Sequence, residues 1–204
     1  MTDPQALASG RLPLLKQIDL TETQSGLRQQ LKGMLEWADR SGFRAQTDTG
    51  ELLGPFNSLL YSPEVAQGLL SFIQAETQST VLPPKLREVV ILTVGSVWNA
   101  AYELYAHRAV AQSLGITPRD VELLSSGKAP VDLGPDGDLV QCFVLSLTRE
   151  RRISNALFED VTARFDTKPA FDTISLAGMY MTVSALVNAF EVPEGWRTRL
   201  PDLI

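Results

Sequence analysis

A chain of 204 residues, 44% of them hydrophobic and 21% charged, is long enough for one domain with a sizeable core and too apolar to be disordered. Its net charge of −6 comes with scattered Lys and Arg, which excludes the basic stripe of a nucleic-acid binder. The single cysteine, Cys142, excludes a disulfide within the chain and fits a reducing, cytoplasmic setting.

Residues 1–18, with Pro4, Gly10 and Pro13, read as a poorly specified arm, and MTDPQALASGR lacks the apolar run of a signal peptide. Thr21 caps a first helix, with Glu22 in its first turn and Leu27, Leu31, Met34, Leu35 and Ala38 at helical spacing up to a stop at Gly42. The polar stretch RAQTDTGELLGPFNS, residues 44–58, reads as a loop. Ser62-Pro63-Glu64 opens a second helix whose apolar face is Val65, Leu69, Leu70, Phe72 and Ile73.

Pro83 and Pro84 open a third helix, carrying Leu86, Val89, Val90 and Val94. Its β-branched run VVILTV would also suit a strand, but the proline start and the flanking helical patterns favour a helix. Gly95, Ser96 and Asn99 interrupt it, Asn99 capping a new helix, AAYELYAHRAVAQSLG, that Gly115 ends. Thr117-Pro118 starts a short helix, and residues 126–137 form a Gly- and Pro-rich loop. Helices over Asp138–Arg149, Ser154–Phe165 and Pro169–Phe190 complete the chain, closed by Val192-Pro193-Glu194-Gly195. Cys142, in the apolar run DLVQCFVLSL, reads as a small core hydrophobe. The apolar segment from Phe171 to Phe190 holds Asp172, Thr182 and Asn188, which suit a core or a subunit interface better than a membrane. With no period-two alternation and no hairpin signal, the fold class is all-α, in one domain over 1–204.

His107 is the only histidine. Glu103 lies four residues before it, on the same helix face, where a carboxylate orients an imidazole and raises its pKa as general acid–base work requires. A turn at Gly95–Asn99 would bring back Glu88 as a second carboxylate, separating the two acids' pKa values. Spacing alone reads more readily as a solvated Glu–His pair, with Glu88 on the surface beside Lys85 and Arg87. One His and one Cys leave no CxxC, zinc-finger or HExxH pattern, nothing marks a metal site, and there is no GxGxxG, P-loop or GxSxG.

The segment LPPKLREVVIL…NAAYELYAH resembles the carboxymuconolactone decarboxylase family, whose fold is shared with alkylhydroperoxidase D. RLPLL near the start, GELLGPFNSLLYSPEVAQGL and AGMYMTVSALVNAFEVP extend the resemblance along most of the chain. It implies an alkylhydroperoxidase D-like helical bundle, with residues 51–193 as core and 1–50 as an N-terminal extension. In the peroxidase branch a Glu precedes a CxxC pair and a His follows four residues after the second Cys. Glu88 and His107 match that Glu and His, but the cysteine positions fall on Ala100 and Glu103, so thiol peroxidase chemistry is not expected.

The decarboxylase branch implies a cofactor-free lyase acting on a small carboxylated lactone or oxo-acid. In that reading His107 donates or shuttles the proton, Glu103 orients it, and Glu88 is a second acid or base. Phe56 and Asn57 of the GPFN turn, with Trp98 and Tyr102, are the expected substrate-binding residues. The resemblance further implies a homo-oligomer, trimer or hexamer, with the site near a subunit boundary. Two alternatives stay open: a non-catalytic oligomeric binding protein on the same fold, and a redox protein using Cys142.

Overall fold

In the computed structural model, which describes residues 10–194, helices follow one another through short turns. Among the described residues the one β pairing is an antiparallel bridge between Gln46 and Leu52. Helix α1, Glu22–Arg40, begins in a capping box: Thr21 Oγ1 accepts from the Gln24 amide at 3.3 Å, and Gln24 Oε1 accepts from the Thr21 amide at 2.9 Å. It buries Leu27, Leu31, Leu35 and Ala38.

Part of the stretch expected to be loop is helical. Residues Pro55–Leu59 form α2, because Gly54 at φ 63° turns the chain and Pro55 presets the first helical residue. Helix α3, Pro63–Ser79, turns Ala66 inward with Leu69, Leu70 and Ile73 packed against the core, but leaves Val65 and Phe72 exposed, so the expected apolar face is only partly used.

Helix α4, Pro84–Trp98, is buried without a break from Glu88 to Gly95. It packs against α5 (Ala101–Ser113), α6 (Pro118–Ser125), α7 (Gly134–Leu145) and α9 (Thr167–Ala189). A helix apolar on nearly all sides belongs in the centre, where burial outweighs the weak helix propensity of VVILTV. Asn99 does not cap α5: it closes α4 in the left-handed region at φ 49°, ψ 42°, a conformation asparagine tolerates, and Ala100 precedes α5. Helix α7 starts four residues earlier than expected and runs into a π turn over Ser146–Glu150, and α8 (Asn155–Phe165) follows. Cys142 is exposed rather than in the core, since α7 turns Val140, Gln141, Phe143 and Val144 inward.

Among the described residues α9 is long and apolar enough to cross a membrane, yet it packs along α4 with Leu176, Ala177 and Ser184 fully buried. Asp172 is satisfied there by the Val81 amide at 2.8 Å and Lys168 Nζ at 3.0 Å. The described part of the arm is well anchored. Asn57 accepts from the Leu15 amide at 3.1 Å and donates to the Pro13 carbonyl at 3.0 Å, while the Arg11 amide donates to the Phe190 carbonyl at 2.7 Å. Residues 1–9 of the expected arm, and Gly195 of the expected closing turn, lie outside the described residues.

Candidate active site

The turn at Asn99 sets α5 beside α4, and two helices then meet at one imidazole. His107 Nδ1 lies 2.9 Å from Glu88 Oε2, and Nε2 lies 3.8 Å from Glu103 Oε2. Glu88, Glu103 and His107 are 4%, 4% and 5% exposed, so none is the solvated surface group that spacing alone allows. Sequence reasoning missed a fourth member: Tyr180 of α9, whose hydroxyl is 3.0 Å from His107 Nε2 with its ring edge-on to the imidazole. Its only signal was a phenol in a largely apolar helix, since a buried tyrosine hydroxyl usually finds a partner.

A carboxylate only accepts, so Glu88 fixes the ring proton on Nδ1. In the neutral imidazole, Nε2 then accepts from the Tyr180 hydroxyl. In the charged imidazole, Nε2–H donates to the Tyr180 oxygen and frees the phenol hydrogen for another acceptor. Burial, the largest influence on His107, pushes its pKa down, but the charge and hydrogen bond of Glu88, with Glu103, carry the net direction upward. Burial raises Glu103, with Glu88 adding to the rise and His107 opposing it. Burial also raises Tyr180 well above the ordinary phenol, so it works as a hydrogen-bonded phenol and not as a standing tyrosinate.

Glu103, His107 and Tyr180 border a cavity of about 80 Å³. Met34 and Trp37 of α1, with Phe43 just beyond it, form one wall; Phe56, Leu59 and Ile73 of α2 and α3 form another; Val183 and Leu186 of α9 close it. Glu88 is not in the wall. It stands behind His107 and reaches the cavity only through the ring. Its chain neighbour Arg87 is held by both oxygens of buried Glu76, the second at 2.7 Å.

Of the four expected substrate-binding residues, Phe56 and Tyr102 line the cavity. The Tyr102 hydroxyl donates to the Arg44 carbonyl at 3.1 Å, and its ring lies so close over Gly54 that a Cβ there would collide with it. Asn57 instead anchors the arm. Trp98 is partly exposed at the end of α4, and its carbonyl accepts from Asn188 Nδ2 at 2.7 Å. Ala100 is fully buried and carries no functional group. Among the described residues no group of three or more His, Cys, Asp or Glu is arranged for a metal ion.

Residues 63–136 match the model of the carboxymuconolactone decarboxylase family, a segment that contains Glu88, Glu103 and His107 but not Tyr180 or the α1 wall. No curated protein matches the chain. Among solved structures, an uncharacterized peroxidase-related protein of Ralstonia eutropha JMP134, described as an alkylhydroperoxidase AhpD core, is 18% identical with a TM-score of 0.73, over 90% of this chain and 91% of that one. A peroxidase-related protein of Silicibacter sp. TM1040 is 17% identical with a TM-score of 0.72, over 95% and 94%. The debrominase Bmp8, in complex with 2,3,4-tribromopyrrole, is 11% identical with a TM-score of 0.65, over 92% and 90%. Likeness at these identities shows a shared, alkylhydroperoxidase D-like all-α fold.

Proposed function

From the match of residues 63–136 to the carboxymuconolactone decarboxylase family, we propose that the protein is a cofactor-independent acid–base lyase or isomerase of a small carboxylated lactone or oxo-acid. The observation that carries the reading is the chain Glu88–His107–Tyr180, which meets Glu103 on the wall of an apolar cavity.

Decarboxylation breaks the bond between carbon and carboxylate. The electron pair passes into a conjugated carbonyl as CO₂ leaves, and a proton then closes the vacated carbon. An apolar enclosure favours the step, because charge localised on a carboxylate becomes dispersed in the transition state. Glu103, whose pKa burial raises above the ordinary carboxylate value, and His107 acting through Tyr180 are the two proton sources in the wall. Glu88 touches no substrate in this scheme. It positions His107 and holds its charge.

The thiol of Cys142 is exposed on the outer side of α7, outside the cavity wall, which leaves the redox alternative without support from the site. A purely binding protein would use the imidazole and the phenol only to hold an anion, whereas two proton-bearing groups on one wall favour the acid–base reading. The test is CO₂ release and ultraviolet loss of 4-carboxymuconolactone, other carboxylated butenolides and small β-oxo-acids. His107→Ala and Glu88→Gln are expected to slow turnover by roughly 10²–10⁴-fold. Unchanged turnover in both variants, or none by the unaltered protein, sinks the proposal.

A further inference from the structure

Among the described residues no Lys or Arg lines the cavity, and its titratable groups are Glu103, His107, Tyr102 and Tyr180. The nearby cation, Arg87, is taken up by Glu76 and stands outside the wall. Two glutamates already flank His107. One substrate carboxylate therefore has a charged imidazole and a phenol to meet it, and a second has only apolar wall. A buried charge with no partner keeps its full desolvation penalty. The lining is also aromatic: the Trp37 and Phe43 rings pack edge-to-face at 5.5 Å, and the Trp37 ring centre is 6.3 Å from that of His107.

We propose that the cavity selects a small ring bearing at most one carboxylate, that group toward His107 and Tyr180 and the ring's hydrocarbon against Trp37 and Phe43, and that it refuses dicarboxylates. This selectivity rests on the acid–base reading for the placing of the carboxylate. It makes 4-carboxymuconolactone, which carries two carboxylates, a poor ligand, and moves the substrate toward singly charged lactones or oxo-acids. It also gives the segment outside the family match a task, since α1 and Phe43 precede residue 63 and supply the aromatic wall.

Calorimetric titration of the full chain with furoate and with furandicarboxylate tests this at neutral pH. Furoate is expected to bind at least about tenfold tighter. In Trp37→Ala furoate affinity is expected to fall about tenfold, with most of it regained in Trp37→Phe. Val183→Lys, which brings a flexible cation to a half-buried position in the wall, is expected to narrow the gap between the two probes. Furandicarboxylate binding as tightly as furoate, no furoate binding, or a Trp37→Ala variant that binds like the parent overturns the proposal. Turnover in His107→Ala decides the acid–base reading separately. A catalyst that slows without His107 yet binds both probes equally would keep the chemistry and lose the selectivity.

Discussion

Because the chain has one histidine, the proton behaviour of the site is read from one imidazole. Burial alone would push that ring toward neutrality; the charge and hydrogen bond of the Glu88 carboxylate at 2.9 Å, with Glu103, carry it the other way. Glu88→Gln keeps the shape and removes the charge, leaving burial as the main influence, so the ring's pKa is expected to move down. The His107 ring resonance in an NMR pH titration, which needs no substrate, should show its midpoint at lower pH in Glu88→Gln than in the parent protein. A midpoint that stays or rises would mean that Glu88 does not govern the ring. Tyr180 belongs to the same scale. It lies 73 residues from His107, and neither periodicity nor spacing connects two residues whose helices meet only through the packing of α9 on α4 and α5.

At the scale of elements, the punctuation of the chain was readable where a side chain or a proline acts on its own neighbours. Thr21 and Thr117 cap the helices expected of them, Ser154, expected as the first residue of its helix, stands one position before it as the cap, and Pro63 and Pro84 stand at helix starts. Periodicity told less about burial: Val65 and Phe72 share the inward stripe's spacing on α3 yet stay exposed, and Cys142 sits on the outer side of an apolar helix. Asn99 was the instructive error, because asparagine suits a helix start and a left-handed helix end equally. Its φ of 49° makes a prediction about the α4–α5 turn that carries Glu88 toward His107. Asn99→Gly should leave stability within about 0.5 kcal/mol, whereas Asn99→Val should lose about 1–2 kcal/mol, since a β-branched residue is strained in that region. Urea unfolding measures both, and equal stability of the two variants would contradict the left-handed turn.

At the scale of the whole molecule, the all-α fold and three of the four polar site groups could be anticipated from the sequence, whereas the cavity could not. Its walls come from α1, α2, α3, α5 and α9, and only tertiary packing brings Trp37 and Val183 to the same space. Enclosing those groups has a consequence for the fold itself. His107 has a raised folded pKa, so the stability it contributes is complete below the ordinary imidazole value of about 6.5 and is lost as pH rises through the folded value. Glu103 is also raised, so the folded protein holds that proton more tightly than the unfolded chain, and stability falls from the ordinary carboxylate range up to the raised value. The two act in the same direction. Asp172 and Glu51 are lowered and act oppositely, their contributions disappearing as pH falls through their folded values in the acid range. The thermal midpoint should therefore peak in mild acid, drop below it as the lowered carboxylates gain protons, and decline above it through the neutral range. In Glu103→Gln, which keeps a neutral side chain at that position at every pH, the neutral decline should be shallower. A midpoint that rises steadily from mild acid to mild alkali, or a Glu103→Gln curve parallel to the parent's, would show that these buried groups do not set the pH dependence of the fold.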